Sequence, residues 1–171
     1  LEPGDDEVGW IAPRGRVPLG YLNDRAATEA TFPIVDGERL AVPGDRGQLN
    51  EDGSVRLLGR DSMVVNTGGE KVFVEEVEQA LLRHPDVADV LVVGRPSERY
   101  GEEVTAVVQL RPGAQVTGAE LRERAAEELA RYKAPRAVAV VDQVKRHPTG
   151  KADYRWAKQA ALAAEPVVAR G

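Results

Sequence analysis

Residues 63–94 read MVVNTGGEKVFVEEVEQALLRHPDVADVLVVG. The opening run at 63–67 is β-branched and strand-like, and it ends on Gly68 and Gly69, two glycines that tolerate positive φ and suit a hairpin turn. From Val74 the period changes. Val74, Val77 and Leu81 recur at helical spacing, and Pro85 fixes the end of that helix. A second apolar run, VADVLVVG, follows at once. Strand, turn, helix and strand in close succession predict an α+β unit.

The pattern continues toward the C-terminus. Residues 102–110, EEVTAVVQL, read as a strand. In TGAELRERAAEELARYKAP, residues 117–135, Thr117 and Glu120 form a capping-box pair, Leu121, Ala125 and Leu129 make one apolar stripe, and Pro135 closes the helix. A strand at 136–144, RAVAVVDQV, leads to a last helix at 152–165, ADYRWAKQAALAAE. The expected fold is α+β: a small mixed sheet with two to three helices covering one face. Residues 1–60 differ in character. They are rich in Gly, Pro and Asp and read as strands and turns with no helix of useful length, a β-rich and incomplete segment. The expected division is therefore 1–60 and 61–171.

Composition narrows the function classes. The 171 residues carry 28 acidic and 23 basic side chains, a net charge of −5, so neither a nucleic-acid backbone nor an anionic membrane surface is an expected partner. Any anion must be caught locally. There is no cysteine, which excludes disulfides, zinc-thiolate sites and thiol catalysis. His84 and His147 lack ligand-like spacing, so no metal site is expected from this chain. No apolar run approaches the ~20 residues of a membrane helix, and with no secretory signal the expected location is cytoplasmic. The chain begins at Leu1 rather than Met, as expected for a fragment of something longer.

Four constellations can carry chemistry. In VPGDRG, Asp45 offers a carboxylate on a tight turn, suited to two vicinal hydroxyls or, more plainly, to bonding its own backbone. In LLGRDSMVV, Arg60, Asp61 and Ser62 lie where composition changes, as a linker or as a surface turn between strands. At NTGGEKVFV the absent side chains of Gly68 and Gly69 form a hairpin or leave room for a long thin ligand, with Lys71 adding charge nearby. In KRHPTGKADYRWAK, Gly150 frees the chain to turn, and Lys151 precedes a helix whose N-terminal N–H groups favour an anion. A Gly–Lys pair before a helix also occurs as plain surface charge. Glu75, Glu76 and Glu78 are expected on a solvated helix face, Lys133 at a helix end suits the dipole, Tyr154 and Trp156 are expected to pack, and His147 is expected in solvent.

The order of these constellations is informative. Gly44-Asp45, then GRDSMVVNTGGEKVFVEEVE, then PTGK resembles the C-terminal portion of the adenylate-forming enzymes, the superfamily of acyl-CoA synthetases, peptide-synthetase adenylation domains and firefly luciferase. NTGGEKVFVEEVE and GKADYRWAK look most like the actinobacterial fatty-acyl-CoA ligases. The resemblance implies that residues 61–171 are the mobile C-terminal domain and residues 1–60 the tail of a large N-terminal domain that is otherwise missing. It implies that the parent joins a carboxylic, fatty acid to the α-phosphate of ATP and passes the acyl group to CoA. Lys151 would be the adenylation lysine. Asp45 and Arg60 would bind the ribose of ATP or AMP, Lys71 a phosphate, Asp61 and Ser62 would form the hinge, and Gly68 and Gly69 would line the CoA tunnel. Mg²⁺ would be required but held by no residue of this chain. These residues contain no phosphate loop, adenine pocket or acyl pocket, so the chain alone is not expected to complete a cycle. The alternatives are an acyl-AMP ligase that loads a carrier protein and a non-catalytic α+β interaction module.

Overall fold

A long antiparallel pair organises the second half of the chain. In the computed structural model, which describes residues 2–5 and 7–166, the chain divides into two compact units, Leu1–Ser62 and Met63–Gly171. The strands and helices, in chain order, are β1 (Gly9–Trp10), α1 (Arg25–Thr31), β2 (Ile34–Val35), β3 (Glu38–Arg39), β4 (Asp45–Leu49), β5 (Val55–Arg60), β6 (Val64–Thr67), β7 (Glu70–Phe73), α2 (Val74–Leu82), β8 (Val87–Ser97), β9 (Gly101–Leu110), α3 (Gly118–Glu128), β10 (Ala137–Val141), α4 (Tyr154–Ala161) and β11 (Glu165–Pro166).

In the second unit β8 and β9 run antiparallel from Val87 opposite Leu110 to Ser97 opposite Gly101. β10 adds to β9 in parallel and β11 to β10. The β6–β7 hairpin joins at the other extremity, where Thr67 pairs with Gly101. Successive side chains of a strand face opposite ways. Val90 and Val92 of β8 therefore enter one cluster with α2 and α3, through Val77, Leu81, Leu121 and Ala125. Leu91 and Val93 enter another with Ala157 and Ala161 of α4. Helices thus cover both faces, not the one expected. The near-continuous apolar run of β8 follows from burial on both sides.

The helices form where their caps and stripes dictate. α3 has the capping box: Thr117 Oγ1 accepts from the Glu120 amide at 3.2 Å and Glu120 Oε2 accepts from the Thr117 amide at 2.7 Å. α2 buries Val74, Val77 and Leu81 and ends at Leu82, three residues before Pro85. α4 starts at Tyr154 rather than Ala152, with Asp153 as N-cap.

The first unit pairs β1 with β4 and β4 with β5. It contains the short helix α1, which the sequence reading did not anticipate; Asp24 caps it by accepting from the Ala27 amide at 2.9 Å. Its apolar core is thin. Phe32 and Leu58 are its buried hydrophobic residues among those described, while Leu19 and Leu22 are 90% and 91% exposed. Among the described residues no helix is long and apolar enough to cross a membrane.

Candidate functional site

Lys151 sits on a short hairpin between β10 and α4. Arg146 pairs with Ala152, the His147 amide donates to the Lys151 carbonyl at 2.8 Å, and the Gly150 amide donates to the His147 carbonyl at 2.8 Å. Gly150 has φ +82°, which an L side chain rarely adopts. The Lys151 side chain is exposed and, among the described residues, makes no hydrogen bond or ion pair. The expected anion trap at the helix start is altered. Asp153 fills it with its own carboxylate, which accepts from the Trp156 amide at 2.9 Å. The free charge at this place is therefore the lysine ammonium. His147 is exposed, as expected.

The hairpin is fastened to β8. Arg146 donates from Nε to Asp89 Oδ2 at 2.7 Å and from Nη2 to Asp89 Oδ1 at 2.6 Å. Burial pushes the Asp89 carboxyl up, but the guanidinium and the Val90 amide outweigh it and hold the group below its ordinary range. Behind this pair lies Glu78, which accepts from the Val92 amide at 2.8 Å and from the Tyr154 hydroxyl at 3.1 Å. Burial dominates there and pushes Glu78 up to about 7, against those hydrogen bonds. Burial and the Glu78 charge also push the Tyr154 hydroxyl up. The expectation of a solvated acidic face on α2 is thus wrong at two positions. Glu76 is 8% exposed and meets Lys133 Nζ at 2.7 Å, so Lys133 serves an ion pair rather than a helix dipole.

Gly68 and Gly69 form the two-residue β6–β7 turn, with φ +60° and +89°. Positive φ at both positions matches the twist of a tight hairpin. The Gly68 amide donates to the Tyr100 carbonyl at 2.9 Å, and a Cβ on Gly68 would stand 3.4 Å from the Tyr100 ring. The Arg136 guanidinium stacks 4.0 Å over that ring. Arg122 is pushed down by burial first and then by the charges of Arg136 and Arg131, which marks a concentration of positive charge near this turn. Lys71 lies exposed on β7 opposite Asn66.

The Lys151 hairpin and the glycine turn stand at opposite ends of one ladder. Asp89 is near the Val87 end of β8, whereas the turn meets the Ser97–Gly101 end. At about 3.3 Å per residue the intervening strand spans on the order of 26 Å.

In the first unit Asp45 does not lie within a tight turn. It begins β4, directly opposite Arg60 on β5, and the two are joined at 3.3 Å; Gly44, at φ +102°, turns the chain just before. Asp61 accepts from Arg46 Nε at 2.9 Å, and its amide donates to the Gly44 carbonyl at 2.9 Å. The Arg46 guanidinium stacks 3.6 Å over Trp10. Trp10 is itself 49% exposed. Ser62 is the exposed last residue of the first unit, inside a 3₁₀ turn at Asp61–Met63. Asp45 and Arg60 are thus brought together, as are the two glycines and Lys71, while Lys151 belongs to a separate hairpin. The residues that sequence reading missed are Asp89, Arg146 and Glu78. Their partners lie 57 and 76 positions away, so no local pattern discloses them. Among the described residues no three His, Cys, Asp or Glu side chains cluster as metal ligands.

The chain is similar to known proteins over most of its length. Residues 76–151 match the family model of the AMP-binding enzyme C-terminal domain. The chain is 57% identical over 162 residues to the medium-chain acyl-CoA ligase Mig of Mycobacterium avium, covering 95% of this chain and 30% of that protein. It is 55% identical over 158 residues to the 3-oxocholest-4-en-26-oate–CoA ligase of Rhodococcus rhodochrous, covering 92% of this chain and 28% of that protein. It therefore spans about 30% of the length of the curated relatives it matches. Among solved structures, o-succinylbenzoate CoA synthetase from Bacillus subtilis, in complex with its acyl-adenylate intermediate, superposes with a TM-score of 0.79 at 31% identity, covering 98% of this chain and 32% of that one. Residues 76–151 thus carry an AMP-binding enzyme C-terminal domain, and over most of its length the chain is similar to part of known acyl-CoA ligases.

Proposed function

We propose that the chain is the C-terminal part of an ATP-dependent acyl-CoA synthetase that activates a fatty acid as its acyl-adenylate and transfers the acyl group to CoA. Residues 1–60 would be the tail of the large N-terminal domain and residues 61–171 the mobile C-terminal domain. The exposed Leu19 and Leu22, with so little buried beneath them, fit a segment that packs on more of that domain. The enzyme would work in the cytoplasm.

The observation that carries this reading is the placement of the Lys151 hairpin and the Gly68–Gly69 turn at opposite ends of the β8–β9 ladder. One domain can then offer either end to a single active site. In the first half-reaction the Lys151 ammonium approaches the acyl carboxylate and the α-phosphate. It offsets the repulsion of two anions and stabilises charge in the transition state as the carboxylate attacks phosphorus and pyrophosphate departs. Asp45 accepts from the ribose hydroxyls, and Arg60, its neighbour across the strand pair, donates to the same sugar. Lys71 contacts a phosphate. In the second half-reaction the chain pivots at Asp61 and Ser62, and the glycine turn lines the path of the CoA thiol. The thiol attacks the acyl carbonyl and AMP leaves. Arg122, Arg131 and Arg136 near that turn supply charge to the phosphates of CoA. Mg²⁺ would enter with the ATP phosphates; the described residues present no acidic cluster to hold it.

The test is pyrophosphate release by the full-length enzyme over a series of fatty acids, with mass detection of the thioester. ATP-dependent formation of acyl-CoA supports the reading. Release of pyrophosphate with transfer only to a carrier-protein phosphopantetheine makes the enzyme an acyl-AMP ligase, and no acid-dependent release with any acid makes this an interaction module.

A further inference from the structure

Lys151 owes its direction to residues outside the turn that bears it. In the hairpin, Arg146 and Ala152 are paired and share one face, so by strand alternation His147 and Lys151 face the other way. The first face is held down: Ala152 packs with the α4 cluster, and Arg146 forms a two-pronged ion pair with Asp89 on β8. The second face is left to solvent, with Lys151 on it. The stem is closed where the Asp153 amide donates to the Lys145 carbonyl at 3.2 Å, and Arg146 Nη1 reaches the Gly150 carbonyl at 3.4 Å.

We propose that Arg146 and Asp89 are positioning residues whose paired hydrogen bonds fix the hairpin on β8 and so aim Lys151 outward for the adenylation half-reaction. The proposal rests on the catalytic reading of Lys151 given above. A planar guanidinium on a carboxylate fixes orientation as well as distance, which a single point charge cannot do. The pair lies far from the glycine turn, so the thioester half-reaction does not depend on it. Misplacing a reacting group by about 1 Å costs on the order of 100-fold in rate.

Two measurements test this. Hydrogen exchange on the chain reads the clamp directly: in Asp89→Asn the His147 amide, which closes the hairpin, should exchange about tenfold faster than in the wild type, while Val92 and Val107 in the sheet stay protected. Half-reaction kinetics of the full-length enzyme read the consequence. Arg146→Met and Asp89→Asn should lower kcat of pyrophosphate release by about 10- to 100-fold with little change in KM, and Arg146→Lys should recover part of the loss. Thioester formation from supplied acyl-adenylate should stay near wild type, which also reports that each variant is folded. The proposal is overturned if His147 exchange is unchanged, if adenylation is unaffected, or if both half-reactions fall alike. Should Lys151→Ala itself leave pyrophosphate release intact, the catalytic reading of the lysine falls, and the proposal with it. If Lys151→Ala abolishes release and the Arg146 and Asp89 variants do not, only the clamp is lost.

Discussion

Glu78 gives the second unit an unusual dependence on pH. Its carboxyl is pushed by burial from an ordinary value of 4.5 up to about 7, while the Val92 amide and Tyr154 hydroxyl pull the other way. A carboxyl whose folded value lies above its unfolded one binds more protons in the native state, so stability is full below about 4.5 and is lost as pH rises toward about 7. At about 1.4 kcal/mol per tenfold difference, the gap comes to roughly 3 kcal/mol. The test is Glu78→Gln, whose amide oxygen keeps an acceptor for Val92 and Tyr154 but carries no charge. Unfolding by urea is followed through Trp156 in a Trp10→Phe background, so that only the second unit is read. Wild type should lose roughly 2–3 kcal/mol between pH 5 and pH 8, and Glu78→Gln should lose much less and be the more stable protein at pH 8. Any contribution common to the two proteins cancels in the difference between variant and wild type. The acid loss expected from the depressed Asp89 falls below this window. Parallel pH curves for the two proteins, or a wild type that gains stability toward pH 8, would refute the burial of Glu78 as its controlling feature.

Leu81→Ala empties a fully buried site between α2 and the sheet and should cost about 2–5 kcal/mol in the same urea assay. Lys133→Met takes the ammonium from the buried Glu76 and should cost about 3 kcal/mol, much of it recovered in Glu76→Gln/Lys133→Met. Gly68→Ala forces a side chain into φ +60° and to 3.4 Å from Tyr100; about 1–2 kcal/mol of stability should be lost, measured by thermal unfolding.

The elements that could be read from the sequence are those whose cause is local. Val74, Val77 and Leu81 mark α2 because a helix brings them to one side, and Thr117 with Glu120 marks the start of α3 because the cap is closed within four residues. Gly68 and Gly69 announce a turn because few other residues accept their φ values. β7 escaped because Glu70–Phe73 runs straight from the turn into α2, and its strand character comes from pairing with β6. The second covered face escaped as well. A run such as Val90–Val93 is equally apolar whether one face or both are buried, and only α4, about 60 residues later, decides. Glu76 and Glu78 looked solvated because their partners, Lys133 and Tyr154, are distant in the chain. For the candidate site, the lysine and its turn could be read, since Gly150 and a following helix are adjacent in sequence. The clamp that directs the lysine could not, since Asp89 precedes Arg146 by 57 positions.

The most direct measurement is the pair of half-reactions in the full-length enzyme, wild type against Lys151→Ala. Pyrophosphate release with a saturating fatty acid should fall by at least about 100-fold, while thioester formation from supplied acyl-adenylate and CoA stays within a few-fold of wild type. Release that survives the substitution, or a loss shared equally by both half-reactions, would contradict the assignment of Lys151 to adenylation and of the two ends of the ladder to two separate steps.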